Sequence, residues 1–258
     1  MSVEEQFSQL ASLIGEPARA KMLWHLLDGR AFTATELSLM AEVSPQSASM
    51  HLNKLMQARL LTVEHQGRHR YYKFASRDVA YAIEAIANLI PLEKTDNGIK
   101  SGGGRKPEGS GKAESFLHNG HIKYCRSCYD HLAGKMGVAI TDRLVKNQLI
   151  IPENNTDNIP GTKNPKITPG YQVTPAGFKW FTRLEINIEE LKAQRRTFSR
   201  QCLDWSERRS HIAGSLGAAL LDKMLKEDWV RKIKYSRALL ITGKGEKTLT
   251  ELLGPGLL

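Results

Sequence analysis

Three cysteines, two of them followed at short range by an aspartate and a histidine, are where this chain could do chemistry. Cys128, Asp130 and His131 stand together, and Cys202, Asp204 and His211 repeat the same types further on. Thiolate and imidazole are ligands for soft metals, and a thiolate among cations is also a redox-reactive nucleophile. Cys202 follows Lys192, Arg195, Arg196 and Arg200 and precedes Arg208 and Arg209, the surroundings that favour a thiolate. These six residues are the candidate effector or redox site. Spacing of three along Cys125, Cys128 and His131 would place them on one helical face as a metal set, a weaker alternative that lacks a fourth ligand. Small buried cysteines and a capping or hydrogen-bonded histidine are the preferred account, so no metal and no cofactor is expected.

The elements that hold these residues come in two similar runs. Cys128-Tyr-Asp130-His131-Leu-Ala-Gly134 continues to Asp142, and Cys202-Leu-Asp204, after six extra residues, resumes as His211-Ile-Ala-Gly214 and continues to Asp222. Each run leads through a helix to an extended segment ending in Thr-x-x-Gly, at Thr174 to Gly177 and Thr242 to Gly245, and then to a further helix. Helix, hairpin and helix make a winged-helix-like unit, so residues 116–258 are expected to hold two of them, about 125–190 and 200–258. Pro152 to Gly170 reads as a long polar loop. Tyr124, Tyr129, Trp205 and Trp229 offer walls for a small-molecule pocket between the runs. Residues 91–115, rich in Gly and charge, read as a flexible linker.

Ahead of the linker, Thr35 to Phe74 reads helix, turn, helix and two short strands. Ser44 and Pro45 start the second helix as N-cap and first helical residue. Ala48, Leu52 and Leu55 recur at helical spacing and face a core, leaving Gln46, Ser47, Ser49, Met50, His51 and Lys54 outward. Leu61 and Val63 alternate into a strand, Gln66-Gly67 makes the turn, and Arg68, His69 and Arg70 form a basic tip. Such a second helix reads the major groove, while the tip contacts phosphate or the minor groove. The charge agrees locally: residues 44–74 hold five Lys/Arg against Glu64 alone, although residues 1–90 carry nine basic and nine acidic residues. The net charge of +10 resides mostly in residues 116–258, with 23 basic against 14 acidic.

These residues resemble the ArsR-type (arsenic-repressor) family of bacterial transcriptional regulators. The resemblance covers about residues 5–90: Ile14-Gly15-Glu16-Pro17-Ala18-Arg19, then Ser-x-His-Leu at Ser49 to Leu52, then Gly67-Arg68-His69-Arg70-Tyr71-Tyr72. It implies a homodimeric repressor that leaves DNA when an effector binds, with first and last helices paired across the dimer and a palindromic operator. The family's familiar metal sites are a cysteine-rich motif on the first helix of the turn and a His/Asp cluster on the last helix. Thr35 to Val43 has no Cys and Ser76 to Ile90 no His, so neither site is present. The later half resembles a long subfamily carrying Cys-Tyr-Asp-His-Leu-Ala-Gly and Cys-Leu-Asp-Trp-Ser-Glu-Arg-Arg, matched by Cys128 to Gly134 and Cys202 to Arg209. That implies an effector-responsive regulator and names no effector.

The expectation is therefore a mainly helical α+β chain of 258 residues: a winged helix-turn-helix over 1–90, a linker over 91–115 and a sensor or effector domain over 116–258. Its partners would be double-stranded DNA, a second copy, and an unknown small-molecule, metal or oxidant effector. The acidic, amphipathic start lacks a secretory pattern and no apolar run suits a membrane span, so a cytoplasmic protein without membrane contact is expected. A non-sensing architectural DNA binder, its basic later half adding phosphate contacts, is the alternative. With no phosphate loop, catalytic triad or paired carboxylates, no enzyme activity is expected.

Overall fold

The computed structural model describes residues 1–89, 122–153, 169–234 and 236–257. The expected linker, Ile90 and most of the loop from Pro152 to Gly170 lie outside them. The chain forms two compact units. The first is Met1–Ala87 with two later segments, Ser127–His131 and Lys232–Arg237; the second is the remainder.

In the first unit, α1 (Val3–Gly15) opens with a reciprocal capping box between Ser2 and Glu5. α2 (Pro17–Leu26) is capped by the Glu16 carboxylate, which accepts from the Ala18 and Arg19 amides. β1 (Phe32–Thr33) leads into α3 (Ala34–Ala41), which opens with a second capping box between Thr33 and Glu36. α4 (Pro45–Gln57) starts at Ser44, whose hydroxyl accepts from the Ser47 amide. β2 (Leu61–Gln66) and β3 (His69–Phe74) form the wing, and α5 (Arg77–Ala87) follows. The core gathers Met22, Leu26, Leu37, Ala48, Leu52, Leu55, Tyr72, Phe74 and Ile83 from these elements.

Two details depart from the expectation. The wing is three-stranded, because Phe32 pairs with Tyr72 and puts β1 beside β3. Gln66 pairs with His69, so the turn is Gly67-Arg68 rather than Gln66-Gly67. Gly67 has φ +59°, the left-handed geometry that a two-residue hairpin asks of its first turn residue. On α5, Ile83 is buried while Ile86 is 45% exposed.

The two later segments are tied into this unit by polar contacts. The Tyr129 amide donates to the Leu27 carbonyl at 2.8 Å, and its ring meets Phe74 edge-on at 6.0 Å. Arg237 is buried; it donates twice to the Glu84 carboxylate, at 2.9 and 2.6 Å, and its guanidinium lies 4.7 Å from the Trp24 ring centroid.

Beyond residue 121 the order of elements runs twice. The first pass is β4 (Arg126–Cys128), β5 (His131–Ala133), α6 (Gly134–Lys146), β6 (Ile150–Pro152), β7 (Tyr171–Val173) and α7 (Pro175–Arg183), followed by α8 (Ile188–Ala193). The second is β8 (Arg200–Leu203), β9 (Ser210–Ala213), α9 (Gly214–Lys226), β10 (Val230–Lys232), β11 (Leu239–Ile241) and α10 (Gly243–Leu253). Cys125, Cys128 and His131 thus lie on and beside a hairpin, not on one helical face. Local detail recurs as well. Thr174 and Thr242 cap α7 and α10, accepting from the Gly177 and Gly245 amides. A Cβ on Gly177 would stand 1.9 Å from the Leu149 carbonyl oxygen, and one on Gly245 2.0 Å from that of Trp229. Both positions exclude any side chain. Met136, Ile140, Leu144, Phe181, Leu216, Leu220, Met224 and Leu249 share one core in this unit.

Candidate functional site

The outward face of α4 keeps the residues that the pattern assigned to it. Gln46, Ser49, Met50 and Lys54 are exposed, while Ser47 and His51 are half-buried. Ser49 is partly engaged, since its hydroxyl donates to the Pro45 carbonyl at 3.0 Å. At the wing Arg68, His69 and Arg70 are exposed, and Arg70 lies over the Tyr72 ring at 5.7 Å. Lys73 at the wing's base pairs with Glu64. The free positive charge therefore concentrates at the wing tip and at Lys54, and polar hydrogen-bonding groups line the helix between them. Amide, hydroxyl and guanidinium groups so presented suit base edges and phosphates.

His51 is not simply a reader. Its Nδ1 stands 3.4 Å from Glu16 Oε2 and 3.4 Å from Arg19 Nη1. Arg19 in turn is buried and donates to the carbonyls of Leu13 at 2.5 Å and Ser12 at 3.1 Å. Arg19 joins the end of α1, the start of α2 and the middle of α4 at one point. Sequence reasoning missed this hub; a cation two residues after Pro17, on the helix's buried side, was the only signal of it. Glu16 is half-buried and burial opposes its charge, but the amides of Arg19 and Ala18, with His51 and Arg19 nearby, hold its carboxyl below the usual range.

Cys128 and His131 belong to the first unit and Cys202 and His211 to the second. Cys202 pairs with His211 across the β8–β9 ladder, while Cys128 and His131 close the turn of β4 and β5. Asp130 and Asp204 stand behind the two histidines. His131 Nδ1 is 3.1 Å from Asp130 Oδ1, and His211 Nδ1 is 3.5 Å from Asp204 Oδ2. Burial disfavours charge on His131, yet Cys128 and Asp130 outweigh it and push its pKa up to about 9.

Asp204 is fully buried. Burial opposes its charge, but Arg126, His211, Ser206 and the Gly134 amide hold it well below the carboxylate range. Arg126 lies 2.9 Å from it and over the Trp205 ring at 4.4 Å, so Trp205 serves this ion pair, while Trp229 joins the core. Burial, opposed by Arg126, pushes the Cys125 thiol up to about 12, which makes it inert.

A helix-turn-helix domain model matches residues 14–64. HlyU from Vibrio cholerae N16961 is 26% identical over 34% of this chain and 97% of its own, with a TM-score of 0.31. The winged helix-turn-helix domain of a possible ArsR-family regulator from Mycobacterium bovis, described as homodimeric, is 20% identical over 33% of this chain and 77% of its own, with a TM-score of 0.30. YdfF of Bacillus subtilis (strain 168), an uncharacterized HTH-type transcriptional regulator, is 39% identical over 239 residues, 93% of each chain. On that identity across nearly the whole of both chains, this protein belongs to the same family of DNA-binding, helix-turn-helix transcriptional regulators.

Proposed function

We propose that the protein is a cytoplasmic, homodimeric repressor that leaves a palindromic operator when an effector, or oxidation, reaches Cys128, Asp130, His131, Cys202, Asp204 and His211. The observation that carries the DNA end is the exposed polar row of α4 continued by the basic wing tip, with Gln46, Lys54, Arg68 and Arg70 as contact residues. Two-fold association is supported by α1, none of whose residues is buried although Val3 is 83% and Phe7 71% exposed. A C2 pair of such faces would set two recognition helices on successive half-sites. Among the described residues no helix is long and apolar enough to cross a membrane.

The test selects bound DNA from a random pool with the full chain, then measures release by zinc, copper, peroxide and electrophiles. A palindromic consensus that Gln46→Ala relaxes, with release by one of these agents, is the expected result. A steep salt dependence with no consensus and no release would favour the architectural alternative instead.

A further inference from the structure

We propose that Glu16 and Arg19 are positioning residues for DNA recognition: they fix the ring of His51 so that its Nε2–H donates to a hydrogen-bond acceptor of the operator. The inference rests on the reading of α4 as the DNA-contacting helix, and it adds two residues set behind the reading face. All three belong to the first unit.

The guanidinium comes first. Arg19 is 7% exposed, and its planar fork offers donors only. Nε donates to the Leu13 carbonyl at 2.5 Å and Nη2 to the Ser12 carbonyl at 3.1 Å, both in the last turn of α1. Nη1 is left for His51 and lies 3.4 Å from the ring's Nδ1. A buried N–H without an acceptor is costly, so Nδ1 turns its lone pair to Arg19. A neutral imidazole carries one ring proton, and that proton then sits on Nε2.

Glu16 holds the guanidinium in this pose. Its Oε2 accepts from the Arg19 amide at 2.9 Å and lies 3.7 Å from Nη1, so backbone and head of one residue meet a single carboxylate. The same oxygen is 3.4 Å from His51 Nδ1. A proton on Nδ1 could reach it, but that proton would face the hydrogens of Nη1 and leave them unanswered. The carboxylate is therefore matched to Arg19, and the ring to the guanidinium. Lysine could not do the same, because a single ammonium lacks the fixed plane that serves two carbonyls of α1 and a ring of α4 together.

The other edge of the ring belongs to the reading surface. The His51 side chain keeps 17% exposure, and Ser47 and Lys54, four residues before it and three after, share its strip of α4. An Nε2–H on that strip can donate to N7 or O6 of a purine, or to a phosphate oxygen. An unheld histidine turns about its side-chain torsions and moves its proton between the two nitrogens. The clamp removes both freedoms before DNA arrives, so binding does not have to order the ring.

The test uses the full-length protein with 15N-labelled histidine, and an operator selected by it from a random pool. Ring-nitrogen NMR of the wild type in mildly alkaline buffer should show the His51 proton on Nε2, with His51→Ala identifying the signals. His51→Ala should weaken operator binding by about 2- to 10-fold. His51→Gln, whose amide donates from nearly the same place as Nε2, should recover part of this loss. His51→Asn, which mimics Nδ1, should not. Arg19→Lys should weaken binding to a similar extent and spread the ring over both tautomers, yet cost nothing further in a His51→Ala background. A loss confined to one base pair identifies a purine acceptor, and an equal loss on all sequences identifies phosphate. Urea unfolding checks that each variant is folded; where Arg19→Lys is not, the wild-type ring signals and the His51 series still decide. A proton on Nδ1, additive losses in the Arg19 and His51 double variant, or His51→Gln no better than His51→Asn overturns the inference. An operator bound equally by wild type and His51→Ala sinks this inference alone, whereas failure to select any operator sinks the DNA reading and this inference with it.

Discussion

Replacing Glu84 by leucine should destabilise the DNA-binding unit far more than its single side chain suggests. Glu84 and Arg237 have side chains only 6% and 1% exposed, joined by hydrogen bonds of 2.9 and 2.6 Å. Without the carboxylate, the guanidinium keeps the Ser127 carbonyl at 3.2 Å and the Trp24 face, and neither carries a full negative charge. A buried ion left uncompensated costs about 3–5 kcal/mol. For a unit of this size that is a fall in Tm of roughly 12–40 °C. Arg237→Met alone should cost a similar amount, because it strands the carboxylate. The double variant removes both charges and fills the space with apolar atoms, so it should recover most of the loss. Thermal and urea unfolding of wild type, both singles and the double measure this as a double-mutant cycle. Singles costing under about 1 kcal/mol, or a double equal to the sum of the singles, would refute the reasoning.

Further outcomes follow from other contacts. Arg70→Ala should weaken operator binding about equally for all sequences and lower the slope of log affinity against log salt by about 1, read by titration at several salt concentrations. Gly177→Ala drives a methyl group to within 1.9 Å of the Leu149 carbonyl oxygen and should cost at least about 1–3 kcal/mol in urea unfolding, whereas Gly15→Ala, where nothing lies within 4 Å, should not. Glu16→Ala should cost about 1 kcal/mol at neutral pH through loss of the α2 cap. Because the Glu16 pKa is lowered on folding, its contribution is present above the usual carboxylate range and is lost as pH falls through the lowered value. The difference between wild type and Glu16→Ala should therefore shrink in acid, as followed by unfolding at a series of pH values.

The DNA-binding unit was readable because its punctuation is local. Ser44-Pro45 starts α4, and Ala48, Leu52 and Leu55 mark its buried side within a single helix. The third wing strand was not, since two residues, Phe32 and Thr33, carry no alternation to detect. The hairpins beyond residue 121 have strands of three or four residues, too short to show a period of two, which is why Cys125 to His131 passed for a helical face. The Arg126–Asp204 pair joins residues 78 positions apart. Nothing within a local window could announce it.

α1 has a wider consequence. A helix of 13 residues is near the limit at which helices persist alone in water, and this one buries none of its own residues. Arg19 grips its last carbonyls, but Val3 and Phe7 are left to be covered from outside. In the proposed homodimer its stability would depend on mass action, the helix firming up as chains meet and fraying as they are diluted. Helix content and operator occupancy should rise together with protein concentration, making the abundance of the chain itself an input to the switch.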